Sequence, residues 1–384
     1  MGLKTTWCNH RVMKRRTFVG AVGGSAITGV AGCLTRDGES GDPATDGDPE
    51  PDNPDLTGEL RIATYESMVD GKNPAGTWLK EAFEEEYPDA TLEWTVPNNA
   101  INDYIDRERQ NAEIDADVYL GVNIDDLVRI DDTLEEGGLL RELNVDRIDN
   151  AERIRDGLDM GDPHSRVLAY DTGYICLVYD ETVVDEPQTL DDLTEPAYED
   201  ALLAQNAQRS DPGKAFLLWT IDAYGEDGYL DYWRDLEDNG VRILDDWSES
   251  YSGAYMNGER PMVVSYSTDQ VFAADAGNDM SRHQIAFPNG QGYANPEGMG
   301  IFEGASELDL AYEFLDFALA SEAQAVIAQR NVQFPAVESE HVDLDEEFDQ
   351  YAHVPPEAVT IGYDDLRGTL DGWVENWARE FASQ

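Results

Sequence analysis

The sequence predicts an α/β fold in two lobes built around a mostly parallel sheet. Three observations point there. From Gly58 onward, short apolar runs alternate with helical periods, the pattern of βαβ units. The chain has 384 residues, enough for two lobes and a sizeable core. Between the two α/β stretches lies one long extended segment, Arg166–Tyr179, suited to crossing from one lobe to the other.

Element by element, Glu59–Tyr65 reads as a strand, Ala75–Tyr87 as an amphipathic helix and Ala90–Val96 as a second strand. Ile101–Asn111 reads as a helix and Asp117–Gly121 as a third strand. A second set follows the crossing segment. It has strands at Ala201–Ala204, Val241–Leu244 and Met262–Tyr266, and helices at Gly213–Tyr224 and Tyr229–Asn239. Glu297–Phe302 returns as a strand, and Leu308–Leu319, Ser321–Arg330 and Leu366–Phe381 have helical spacing. No internal repeat is visible.

The charge is extreme, with 81 acidic residues against 26 basic and a formal net charge of −55. Such a surface repels phosphates and anionic lipid, which excludes nucleic-acid binding and a polybasic membrane dock. Five of the basic residues and none of the acids precede Cys33, so the rest of the chain carries 21 against 81. Only Lys72, Lys80 and Lys214 remain as lysines there. At molar salt the Debye length falls to about 3 Å and self-repulsion is screened, so this composition reads as adaptation to a hypersaline milieu.

Residues 1–32 read as a twin-arginine lipoprotein signal, with Met13 a candidate start. Arg15 and Arg16 are followed by Phe18 and a Gly- and Ala-rich apolar stretch, Thr17–Gly32, too short to span a bilayer. Val30-Ala31-Gly32-Cys33 then has the form of a lipobox, which makes Cys33 the expected lipidation site. Residues 33–57 hold Asp37, Asp42, Asp46, Asp48, Asp52 and Asp55 among Gly, Pro and Ser, an acidic tether unable to bury a core. The expected location is the outer face of the cytoplasmic membrane. Cys176, in an apolar run, reads as inert core.

No G-x-S-x-G elbow, H-E-x-x-H, C-x-x-C or Gly-rich phosphate loop occurs, so no catalytic residue, metal ligand or cofactor is expected. In a chain this acidic, neighbouring carboxylates are read as a solvated face. Aromatics carry more information. Tyr65, Trp247, Tyr266 and Phe272 sit at strand ends or loops, where open α/β sheets bind ligands, and rings among acids suit a planar cation.

The body, from about residue 59 to 381, resembles the thiamine-binding proteins of bacterial ABC importers, within the group that also binds ferric iron and polyamines. The resemblance rests on Thr64-Tyr65-Glu66-Ser67, Asp117-Val118-Tyr119-Leu120-Gly121, Asp171-Thr172-Gly173-Tyr174, Ser210-Asp211-Pro212-Gly213, Trp247-Ser248-Glu249-Ser250-Tyr251, Ser265-Tyr266-Ser267-Thr268 and Trp373-Val374-Glu375-Asn376-Trp377. It implies a type II periplasmic-binding-protein fold with the ligand cleft between lobes, residues 58–170 and 285–384 forming one lobe and 171–284 the other. It implies a non-enzymatic protein that captures thiamine or a close cationic heterocycle and delivers it to a permease and ATPase. The implied ligand-binding set is Tyr65, Glu66, Gly121, Asn123, Ser210, Trp247, Tyr266 and Phe272. Trp247 and Tyr266 would flank the pyrimidine ring, Tyr65 would approach the thiazolium, and Ser210 with the Gly121–Asn123 turn would bond the polar ends. Val332 stands where the family has a tryptophan, and Phe272 where it tends to have a tyrosine. A ferric or polyamine binder is the alternative in the same class, although no Tyr-Tyr pair occurs. A secreted hydrolase and a surface-layer protein are the alternatives outside it.

Overall fold

The computed structural model of the chain describes residues 56–134 and 138–382. Eleven strands form one curled sheet: β1 Gly58–Ala63, β2 Ala90–Thr95, β3 Val118–Val122, β4 Val167–Tyr179, β5 Leu202–Gln205, β6 Arg242–Leu244, β7 Met262–Tyr266, β8 Gln284–Ala286, β9 Gln291–Ile301, β10 Phe334–Pro335 and β11 Glu357–Val359. The main order is β2-β1-β3-β9-β4-β7-β5-β6.

Two small parallel groups stand at either end. β1 lies parallel to β2 and β3, and β5 parallel to β6 and β7. Their apolar positions are buried, as in Leu60, Ile62 and Val118 of the first group and Leu203, Met262 and Val264 of the second. The expectation of a mostly parallel sheet holds within each group and fails between them. β3–β9, β4–β9, β4–β7 and β4–β8 are all antiparallel. The reason is the length of β4 and β9, which run through both groups in opposite directions and join them. β4 is the expected crossing strand. β9 starts earlier than expected, at Gln291, and is the second crossing strand. The β4–β9 register shifts between Ala169 and Asp171, a local irregularity where the two groups meet.

Helices cover both faces. Ala75–Glu86 buries Leu79 and Phe83, the latter edge-on to Phe314 and Phe317 of Leu308–Ala318. The two helices expected over 213–239 form one element, Asp211–Asp238, broken at Gly225, whose φ of +72° interrupts the helix. Elements not anticipated include the helix Ile124–Thr133 after β3 and the π-helix Ser248–Tyr255. The expected division placed all of 285–384 with the first lobe. Within that span, β8 and the start of β9 pair with the C-terminal half of β4, β11 pairs with β9, and Leu370–Phe381 lays Trp377 edge-on to Trp233, 5.2 Å away. Ala286 and Trp377 on those segments are fully buried. Among the described residues no helix is long and apolar enough to cross a membrane. Cys33, the twin arginines and nearly all of the tether lie outside the described residues.

Candidate ligand cleft

The two parallel groups present their strand C-termini towards the zone where β4 and β9 cross. Tyr65 lies two residues past β1, Gly121 one residue before the end of β3, and Tyr266 ends β7. Gly121 has φ +116°, and a Cβ there would lie 2.8 Å from the Tyr65 ring, so the backbone approach that seats the ring requires glycine. Gly173 does the same for Tyr266, whose ring lies 2.6 Å from the point a Cβ would occupy. Both rings therefore rest on bare backbone.

Beneath them lies a polar network. Tyr65 and Tyr170 share a hydroxyl–hydroxyl bond of 3.0 Å, and Tyr170 donates to Glu297 Oε2 at 2.7 Å. Asn331 Nδ2 donates to the Tyr65 oxygen at 2.7 Å and to Asp171 Oδ2 at 3.2 Å. Asp171 and Glu297 are register partners across β4 and β9, and both are buried. Burial, then the neighbouring carboxylate, raises Asp171 well above the usual carboxylate range, and burial pushes Glu297 up to about 7.

A second acidic cluster is paired. Lys214 Nζ reaches Asp125 Oδ2 at 2.5 Å, joining the helix Asp211–Asp238 to Ile124–Thr133. Burial alone would raise Asp125; Lys214 and Arg129 hold it below its ordinary value. Asp126 beside it goes the other way, to about 7, through burial and the Asp125 charge.

The rings expected to flank one heterocycle are separated. Successive residues of a strand face opposite ways. Tyr266 and Val264 belong to one face of β7, while Val263 and Ser265 belong to the other. Trp247 is on that other face, donating Nε1–H to Ser265 Oγ at 3.0 Å and stacking on Tyr251 at 4.7 Å and 8°. Phe272, 46% exposed, stands edge-on to the same Tyr251 at 6.3 Å. Trp247 is thus grouped with Phe272 through Tyr251, and Tyr266 with Tyr65 and the acids. The π-helix starting after Trp247 supplies the stacking, since Trp247 and Tyr251 lie one turn apart. Tyr251 is fixed in turn by His283, whose Nδ1 lies 3.3 Å from its hydroxyl and 2.7 Å from Asp269 Oδ2.

The remaining expected residues divide. Ser210 is buried at the start of the helix Asp211–Asp238, four residues before Lys214. Asn123 is committed to its own surroundings. Its backbone N–H donates to Asp126 Oδ2 at 3.1 Å and its side chain to the Pro296 carbonyl at 3.1 Å. Glu66 is exposed on a one-turn helix and meets none of the cleft groups above. Val332 ends the helix Ser321–Asn331 in a left-handed conformation, φ +56°, unusual for a β-branched residue.

Residues 116–360 match the family model described as bacterial extracellular solute-binding protein. The chain belongs to that family. This solute-binding protein is 26% identical over 281 residues to the thiamine-binding periplasmic protein of Brucella melitensis biotype 1, covering 72% of this chain and 79% of that one. Its fold matches a periplasmic thiamin binding protein with a TM-score of 0.71 at 23% identity, over 84% of this chain and 96% of that one. It also matches the apo ferric ion-binding protein A of Pasteurella haemolytica, TM-score 0.67 at 14% identity, over 84% and 97%. The architecture is the two-lobed type II fold. Sequence reasoning about the solute-binding protein did not pick out Asp171, Glu297, Tyr170 and Asn331, the polar network beneath the two rings. For Tyr170 and Asp171 the signal was their place at the middle of the crossing strand; for the others none was available before the strands were paired.

Proposed function

We propose that the cleft captures thiamine or a closely related cationic heterocycle and delivers it to the permease and ATPase of an ABC importer. The observation that carries this reading is a pair of buried carboxylates, Asp171 and Glu297, with no Lys or Arg partner among the described residues and with the Tyr65 hydroxyl inside their network. A fixed cation with an aromatic body answers both features: opposite charge offsets the desolvated acids, and ring faces add cation–π contact. The name carried by the Brucella relative supports thiamine as that cation. In this reading Tyr65 and Tyr266 meet the charged ring over the acid pair, and Trp247 with Phe272 holds the second ring. Ser210 and Gly121 line the polar end, and Asn123 shapes the turn. The lobes close about the middle of β4 and β9. The protein is exported by the twin-arginine route and held by lipid on Cys33, with residues 34–57 as its tether, in a surface adapted to high salt.

Thiamine titration in high salt, followed by calorimetry and intrinsic fluorescence, tests the ligand. Trp247→Ala is expected to cost about 2–4 kcal/mol in affinity, the range of a binding hot spot. Trp94, whose indole donates to the Gly76 carbonyl in the first group, serves as the control and should matter little when changed to Phe. No signal up to millimolar thiamine, with binding of spermidine or ferric citrate instead, would move the protein to the polyamine or iron branch. Equal binding by Trp247→Ala would keep the ligand and discard the ring assignment. For the anchor, Cys33→Ser should release the protein from the membrane fraction and Arg15→Lys with Arg16→Lys should retain it inside. An unchanged membrane fraction in both would remove the lipid anchor and the export route together.

A further inference from the structure

The acid pair is placed where a negative charge is hardest to keep. Asp171 is fully buried and Glu297 only 9% exposed, and the β4–β9 register sets them directly opposite one another. Cross-strand partners have Cβ atoms about 4.5–5.5 Å apart, so two charges there repel strongly. The groups facing the pair itself are neutral or acidic. These are Tyr65 after β1, Tyr119 from β3, Tyr170 from β4, Tyr266 from β7, Asn331 from the helix Ser321–Asn331 and Asp211 from the start of its helix. The helix that carries Asp211 also carries Lys214, 3.5 Å from Asp211 and engaged with Asp125 at 2.5 Å.

A second observation concerns missing donors. Asp171 Oδ1 is buried and accepts no hydrogen bond among the described residues. The same holds for Gln333 Oε1, on a side chain 6% exposed that lies 2.5 Å from the point where a Gly173 Cβ would sit. Gly173 is on the same face of β4 as Asp171, two residues on. Buried acceptors are rarely left without donors. Here a proton on the carboxyl pair, or a ligand bearing N–H groups, would supply one.

We propose that the Asp171–Glu297 pair holds one proton in the ligand-free protein and releases it to solvent when a cationic ligand docks, so that capture exchanges one cation for another. This rests on the cleft being the cation site proposed above. The balance is simple: one carboxyl O–H bond breaks, its proton passes to water, and the arriving fixed charge takes its place. Asp125 shows the end state within the same molecule, since a buried aspartate beside Lys214 is held ionised. Burial and the facing carboxylate, which raise Asp171, and burial, which raises Glu297, favour the protonated starting state. Affinity should then rise with pH by up to about tenfold per unit below the point at which the empty pair ionises.

Two measurements test this. In the first, thiamine is titrated calorimetrically in buffers of unequal ionisation enthalpy between about pH 6 and 8. Release of about one proton per thiamine is expected, with Glu297→Gln or Asp171→Asn releasing less and flattening the pH dependence. Thiamine binding with the same heat in every buffer overturns the exchange and leaves the thiamine reading intact. In the second, infrared difference spectra of the ligand-free protein are recorded across the same pH span. A protonated-carboxyl band that fades as pH rises and is diminished in both variants is expected; a band unchanged in both overturns the stored proton. If thiamine gives no heat at all, the thiamine reading and the exchange fall together, and the infrared result alone decides whether the pair stores a proton.

Discussion

Asp131 and Asp171 are both buried aspartates, and burial acts on them in the same direction; their partners send them apart. Asp131 accepts two bonds of 2.7 Å from Arg166, itself 1% exposed, and a third of 2.6 Å from the Tyr363 hydroxyl. Arg166 also binds Asp162 at 2.8 Å. Although burial would raise it, Asp131 is held below its ordinary value by Arg166 and Tyr363. Asp171 receives one amide hydrogen at 3.2 Å and no cation, and its value rises. In one region the charge is spent inside the fold and fastens the chain. In the other no Lys or Arg among the described residues answers it. A buried acid thus reports structure or function according to whether the chain itself answers it.

The largest way to break this contrast is Arg166→Ala. It leaves Asp131 and Asp162 buried without their cation and should cost about 3–5 kcal/mol, read from denaturant melts. The sign with pH follows from the lowered value of Asp131: its contribution is present above the unfolded value of about 4 and is lost as pH falls through the folded value. Wild type should show that acid-side loss, and the variant should have little left to lose. A variant as stable as wild type would show that Arg166 fastens nothing.

The unpaired region has the opposite sign. A folded value raised to about 7 makes the Glu297 contribution largest below about pH 4 and steadily smaller as pH rises towards 7. Ligand-free protein should therefore melt lower near pH 8 than near pH 5, and Glu297→Gln should flatten that slope by roughly 1–3 kcal/mol. An unchanged slope in the variant would place the titration elsewhere, Asp126 being the first candidate.

Salt sharpens the contrast further. The melting temperature should climb from low to molar KCl as surface repulsion is screened, while the Arg166→Ala penalty changes by less than about 1 kcal/mol because buried pairs are screened little. A flat melting temperature would remove the halophilic reading. The smallest effect belongs to Val332, next to the Asn331 that bonds Asp171. Val332→Gly relieves a left-handed β-branched residue and should stabilise by about 1 kcal/mol. Thermal melts read this directly, and a loss of stability would show that the packing of the valine matters more than its backbone.

The longer strands and most of the long helices were legible because apolar spacing survives any surface charge, whereas the two- and three-residue strands β8, β10 and β11 are too short to show it. Ile124–Thr133 has no counterpart in the sequence reading although Ile124, Leu127 and Val128 have helical spacing; its four aspartates, Asp125, Asp126, Asp131 and Asp132, dilute the apolar stripe. Asn123 followed by Asp126 was the capping signal available. Trp247 and Tyr266 were visible as rings, but not the faces of β7 that separate them. Asp171 and Glu297 could not be singled out among 81 acids, because what distinguishes them is a register between distant strands.

One consequence follows from the length of β4. Thirteen residues of strand measure on the order of 40 Å, and both parallel groups hang on it and on its partner β9. In a body that flexes about its middle, displacement grows with distance from the axis. Asp171 and Glu297 lie beside the register shift and would travel little in such a motion, whereas Trp247 and Phe272 belong to the second group, away from it. On the proposed closure, the charge stands at the pivot before the solute arrives and the rings swing in afterwards. Arrival and departure are thereby assigned to different residues: the pivot governs how fast the cation is drawn in, and the rim governs how long it stays.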